Sequence, residues 1–198
     1  FNRQWIFRGL NYNFELGNAY AITGHNGSGK STLLQIIAGA MEKSEGSFSI
    51  TNDGALLPAE QWYRYLAFSA PYLELIEELT LTEFLEFHFS LKPLLPSVSI
   101  KDVIEQIELK DARNKQVRQF SSGMKQRVKL GQAFFSNVPA LLLDEPTANL
   151  DVAGIGLYHR LATEYGADRL LIICSNDEQE ISFCRHRLDI TLYKSLKK

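Results

Sequence analysis

A chain of 198 residues, 45% of them hydrophobic, is long enough to fold around a substantial core without disulfide or metal staples. Its formal net charge of −2 excludes the overall basic field that drives binding to nucleic acid. Cys174 and Cys184 have neither C-x-x-C spacing nor metal-ligating neighbours, which favours reduced thiols in a cytosolic protein over a disulfide.

No run approaches the ~20 apolar residues of a membrane-spanning helix, and no signal peptide is visible. The sequence begins at Phe1 rather than Met, so a targeting segment upstream stays open. Lys194, Lys197 and Lys198 form the cationic cluster of the chain and read as a solvated tail.

In chain order, Trp5-Ile6-Phe7 and Tyr12-Asn13-Phe14 read as short strands, with Glu15 to Asn18 as a turn. Ala19 to Thr23 is an apolar strand. It feeds Gly24-His25-Asn26-Gly27-Ser28-Gly29-Lys30-Ser31-Thr32, which fits the phosphate-binding pattern G-x-x-x-x-G-K-[ST]. Glycines let a phosphate approach the backbone so that successive N–H groups point at its oxygens. Lys30 adds a mobile positive charge, and Ser31 offers a hydroxyl to Mg²⁺. Ser31 to Ala38 then reads as an apolar helix stopped at Gly39, whose N-terminal dipole also favours anions. A plain glycine turn between two core elements is the competing reading of this stretch.

Phe48-Ser49-Ile50 and Ala55-Leu56-Leu57 flank Asn52-Asp53-Gly54, a hairpin signal that predicts a small antiparallel sheet. Arg64 to Ser69 reads as a core strand. From Glu74 to Phe120 the pattern turns helical: Thr82 to Phe89 behind a Thr cap, a loop from Lys92 to Ser97, then a helix capped by Ser99. His88 on the first of these reads as a core or rim residue. After Ser121 the α/β alternation returns, with buried parallel strands at Ala140 to Leu143 and Leu170 to Cys174. A helix from Val152 to Tyr165 lies between them, and an edge strand from Arg187 to Tyr193 follows.

The strand Ala140 to Leu143 ends in Asp144-Glu145. A buried strand so placed delivers Asp144 to a Mg²⁺ shell, and Glu145 to a water facing the terminal phosphate. Adjacent acids after an apolar strand also occur as plain surface turns, and the pair alone does not choose. Phe120-Ser121-Ser122-Gly123-Met124-Lys125-Gln126-Arg127 resembles the signature sequence of ATP-binding-cassette (ABC) ATPases, usually Leu-Ser-Gly-Gly-Gln. Pro146-Thr147-Ala148-Asn149-Leu150-Asp151 looks like that family's D-loop.

The resemblance implies an α/β P-loop NTPase fold: a mostly parallel sheet, a small antiparallel β subdomain and an inserted α-helical subdomain. Residues 1–70 and 121–198 would form the core of one domain, and 71–120 the insertion. It also implies ATP and Mg²⁺ as ligands, with two nucleotide domains, as homodimer or heterodimer, sandwiching ATP head to tail. Ser121 and the N–H of Gly123 would then meet the γ-phosphate held by the partner's phosphate loop. Phe1, 23 positions before Gly24, falls where family members place the aromatic that stacks on adenine.

Two departures from the family pattern stand out. The glutamine usual at the entry to the helical insertion is missing from Phe68-Ser69-Ala70-Pro71, where Ser69 is the nearby side chain with an oxygen. The switch histidine is replaced by Asn176, which hydrogen-bonds but carries no proton. The expected function is the ATPase subunit of an ABC transporter, peripheral on the cytoplasmic side of the cell membrane and working with separate membrane subunits. The alternatives are a soluble non-transport ABC ATPase and an ATP-operated switch with weak hydrolysis.

Overall fold

The computed structural model describes residues 5–52 and 54–194. Five strands, β1 (Ala19–Thr23), β4 (Leu66–Ser69), β5 (Ala140–Asp144), β6 (Leu170–Cys174) and β7 (His186–Asp189), form a parallel sheet in the order β4-β5-β6-β1-β7. Between β1 and β4, β2 (Thr51–Asn52) and β3 (Ala55–Leu56) make an antiparallel hairpin centred where Asn52-Asp53-Gly54 predicts it. The helices are α1 (Lys30–Ile37), α2 (Leu81–Leu91), α3 (Ile100–Gln106), α4 (Ser122–Phe135), α5 (Val152–Gly166) and α6 (Glu178–Ile181).

The inner strands are continuously apolar because both faces of the sheet are covered. With a side-chain period of two, Ala21, Leu141, Leu143, Leu171 and Ile173 point into a core shared with α2 to α5. Ile22, Leu142, Ile172 and Cys174 point the other way, against Leu33, Leu34 and Ile37 of α1. Each such buried side chain contributes about 1.5–3 kcal/mol. The first core runs without a break from the sheet into α2 and α3, through Phe84, Leu85, Val103 and Ile104. Both cysteines are buried and free.

Some predicted boundaries move. Trp5-Ile6-Phe7 and Tyr12-Asn13-Phe14 form no strands: Gly9 at φ 73° breaks the run. Their aromatics Phe7, Tyr12 and Phe14 nonetheless pack on the α1 side of the sheet. The cap of α2 is Thr80, which closes a reciprocal capping box with Glu83; Ser99, read from the sequence as a cap, closes one with Asp102. Arg64 ends a 3₁₀ turn, so β4 starts only at Leu66. The last strand stops at Asp189, whose carboxylate accepts from the Thr191 N–H at 2.9 Å and turns the chain into a 3₁₀ helix.

Register aligns the carboxyl ends of the strands. Cys174 pairs with both Ile22 and Asp144, so the segments leaving β1, β5 and β6 emerge side by side. In open parallel sheets this edge is where ligands bind.

Candidate functional site

The loop after β1 is built on left-handed glycines, with φ of 143° at Gly24, 75° at Gly27 and 106° at Gly29. Two of them are also sterically required. A Cβ on Gly24 would lie 2.7 Å from Ser28 Oγ, and one on Gly29 would lie 2.5 Å from Ile6 Cγ2. The loop folds back through Ser28 N–H to His25 O at 3.0 Å, and α1 begins at Lys30. Lys30 is 6% exposed, and its ammonium donates to Gly24 O at 2.7 Å, across the loop. His25, Asn26 and Gly27 are exposed, whereas Ser28 is buried with an unpartnered Oγ. His25 Nδ1 lies 2.9 Å from Asn26 O, which assigns its proton there and leaves Nε2 to accept from Lys194 at 3.2 Å. Thr32 is half-buried on the first turn of α1.

Asp144 ends β5 at 2% exposure, and its Oδ2 has no hydrogen-bond partner. Burial raises its pKa; the hydroxyls of Ser31 and Tyr72 and the charge of Lys30 act in the opposite direction. An orphaned carboxylate oxygen beside a serine hydroxyl suits a hard divalent cation such as Mg²⁺. Among the described residues no group of three or more His, Cys, Asp or Glu could hold a metal. Asp144 and Ser31 would therefore hold the ion with oxygens from phosphate and water, the usual habit of Mg²⁺.

Glu145 is exposed and adopts φ 42°, a left-handed conformation costing about 1–2 kcal/mol for a residue with a Cβ. Its N–H donates to Cys174 O at 2.9 Å, which fixes the turn. Asn176, after β6, spends both ends of its amide on one residue: Nδ2 donates to Gly24 O at 2.7 Å, and Oδ1 accepts from Gly24 N–H at 3.0 Å. The side chain read as a phosphate contact thus clasps the entrance of the loop.

Ser121 caps α4, accepting from Met124 N–H at 3.2 Å. Gly123 is needed for a close approach, since a Cβ there would lie 2.9 Å from Asn149 O. Ser121, Gly123, Asn149 and Asp151 line a pocket of about 420 Å³ that includes no residue of Gly24 to Thr32. The structure therefore brings Lys30, Ser31, Asp144, Glu145 and Asn176 together, and sets Ser121 and Gly123 at a separate surface. Phe1 lies outside the described residues.

Other contributors escaped the sequence reading. Buried Glu180 accepts from Thr147 N–H at 2.7 Å and from Thr147 Oγ1 at 2.5 Å, tying the segment after Glu145 to α6. Buried Gln126 donates to Pro146 O at 2.8 Å and ties α4 to the same segment. Ser69 is 2% exposed with an unpartnered Oγ.

The family model described as ABC transporter matches residues 7–148. Over 193 residues the chain is 31% identical to an uncharacterised ABC transporter ATP-binding protein of Bacillus subtilis, covering 93% of this chain and 85% of that protein. It is 27% identical over 191 residues to a cytochrome c biogenesis ATP-binding export protein of Haemophilus influenzae, covering 96% and 90%. Among solved structures, an ATP-binding subunit of an ABC transporter superimposes with a TM-score of 0.82 at 26% identity, covering 96% of this chain and 82% of that one. A dimeric ATP-binding cassette in a post-hydrolysis state with ADP and Pi superimposes at 0.76 and 24% identity, covering 94% and 87%. With the phosphate loop, the Asp144-Glu145 turn and the α4 signature arranged on this parallel sheet, the chain belongs to the ABC transporter family, as an ATP-binding ATPase domain of the P-loop fold.

Proposed function

We propose that the chain hydrolyses Mg-ATP between two nucleotide domains paired head to tail, on the cytoplasmic side of a membrane, and so drives transport through separate membrane-spanning subunits. The observation that carries this reading is the meeting of Lys30, Ser31, Asp144 and Glu145 at the carboxyl ends of β1 and β5. Lys30 exchanges its bond to Gly24 O for the β- and γ-phosphate oxygens, while the loop N–H groups cradle the chain of phosphates. Ser31 and Asp144 would hold a Mg²⁺ ion, which would supply charge neutralisation to those phosphates. Glu145, fixed by its backbone bond to Cys174, orients a water and accepts its proton. Ser121 and the N–H of Gly123 contribute donors to the nucleotide of the partner domain.

Among the described residues no helix is long and apolar enough to cross a membrane. The engagement of both ends of the Asn176 amide with Gly24 favours a second reading, a switch that binds ATP and hydrolyses it slowly. Calorimetry with Lys30→Ala tests the shared core of both. The variant should show no detectable Mg-ATP binding, and an affinity equal to wild type removes the phosphate-loop assignment.

A further inference from the structure

The turn that carries Glu145 has every backbone polar group engaged. Glu145 N–H donates to Cys174 O at 2.9 Å, and its carbonyl accepts from Ala148 N–H at 3.0 Å, which closes a β-turn with Pro146 and Thr147 at its centre. Pro146 has no N–H to place, and its carbonyl accepts from the Gln126 amide at 2.8 Å. The Thr147 carbonyl accepts from Leu150 N–H at 2.9 Å. That leaves the Thr147 N–H, which donates at 2.7 Å to Oε1 of Glu180, 33 residues further on; the same oxygen accepts from Thr147 Oγ1 at 2.5 Å. Pro146 and Thr147 are buried and Glu145 is exposed, so the backbone is anchored while the Glu145 side chain projects.

Glu180 is itself seated on both sides. Its N–H donates to Asp177 O at 2.9 Å, and its carbonyl accepts at 2.8 Å from the hydroxyl of Tyr158, a fully buried residue of α5. Glu180 is 3% exposed, and among the described residues no Lys, Arg or His forms an ion pair with it. Burying a carboxylate without a countercharge is costly, and an apolar side chain would fill the same space at less cost. What the carboxylate adds is strength: hydrogen bonds to a charged acceptor are roughly twice as strong as neutral ones.

We propose that Glu180 is a positioning residue for hydrolysis: through Thr147 it holds the turn in which Glu145 stands at φ 42°, and so fixes where the Glu145 carboxylate meets the attacking water. The inference rests on the ATPase reading above, with Glu145 as the base. Asp144 is held differently, by the β5–β6 register in which it pairs with Cys174, so losing the Thr147 bonds displaces the base and leaves the metal ligand and the phosphate loop in place.

The test combines steady-state ATPase activity at saturating Mg-ATP with Mg-ATP affinity by calorimetry, and with thermal melting to confirm that each variant is folded at the assay temperature. Thr147→Val keeps the side-chain shape and removes the hydroxyl. A misplacement of about 1 Å can cost about 10²-fold in rate, so kcat should fall by about 10-fold or more while affinity stays at the wild-type value. Thr147→Ser, which keeps the hydroxyl, should retain most of the rate. A role exerted through Glu145 also requires non-additivity: in a Glu145→Gln background, where the base is already gone, Thr147→Val should lower the residual rate by less than about 2-fold. If Thr147→Val folds poorly, Glu180→Gln carries the same test, since it removes the charge and keeps an acceptor oxygen. Unchanged kcat, a loss of affinity with kcat kept, or rate losses that multiply in the double variant each overturn the positioning role alone. Hydrolysis at the wild-type rate by Glu145→Gln overturns the assignment of the base, and this proposal with it.

Discussion

Asn176 is the residue at which sequence and structure part most clearly. Its place beside the phosphate loop was legible through the family resemblance, because it stands where members carry the switch histidine. Its task was not, because both of its hydrogen bonds go to Gly24, far away in sequence. The bonds hold Gly24 at φ 143°, a conformation closed to residues with a Cβ. Removing them frees the loop before it meets a phosphate, and two hydrogen bonds at about 1 kcal/mol each correspond to roughly 10- to 30-fold in affinity. Asn176→Ala should therefore weaken Mg-ATP binding by about that factor. Asn176→Asp should do at least as much harm, since it sets a carboxylate against the Gly24 carbonyl. Calorimetric dissociation constants decide the matter, and an unchanged value for Asn176→Ala would show that the loop holds its shape without the clasp.

At the level of elements, legibility followed burial. β1, β5 and β6 were readable to within a residue because strands covered on both faces leave continuous apolar runs. The N-terminal aromatics misled, since they are apolar for packing and find no neighbouring strand to pair with. On α2 the placement of His88 at the core or rim holds. Its Nδ1 lies 2.9 Å from Gln132 Nε2 and its Nε2 lies 3.3 Å from Ser136 Oγ, which joins α2 to α4. Burial, with the charge of Lys92 beside it, pushes the imidazole down to about 4, partly opposed by its hydrogen bond to Gln132. Unfolded histidine titrates near ~6.5, so between these values the unfolded chain binds the extra proton and stability rises with pH. The stabilisation is fully present above the unfolded value and is lost as pH falls through the folded one. Melting temperature should accordingly drop between about pH 6.5 and pH 4, and His88→Asn should flatten that slope. Equal slopes in the two proteins would mean that other groups control the acid limb.

On the scale of the whole molecule, the phosphate loop and the capped start of α4 belong to different surfaces: the pocket around Ser121 and Gly123 contains no residue of the loop. Both are anion-seeking, the first through its glycines and Lys30, the second through the free N–H groups of the first turn of α4. The second surface is also fixed with care, because Gly123 lets α4 approach the Asn149 carbonyl and Gln126 anchors α4 to Pro146, one residue past Glu145. On the proposed pairing, two domains facing head to tail would give each nucleotide a loop from one and an α4 N-terminus from the other. Pairing on ATP then depends on keeping the γ-phosphate in place. Glu145→Gln keeps the side-chain size and removes the proton acceptor, so it should slow hydrolysis by roughly 10²- to 10⁴-fold while leaving Mg-ATP affinity near wild type. The slowed variant should accumulate as an ATP-bound dimer in size-exclusion chromatography with Mg-ATP, and return to monomer when ADP replaces ATP. Normal turnover by a variant that stays monomeric with ATP bound would remove both the role of Glu145 as base and the paired arrangement.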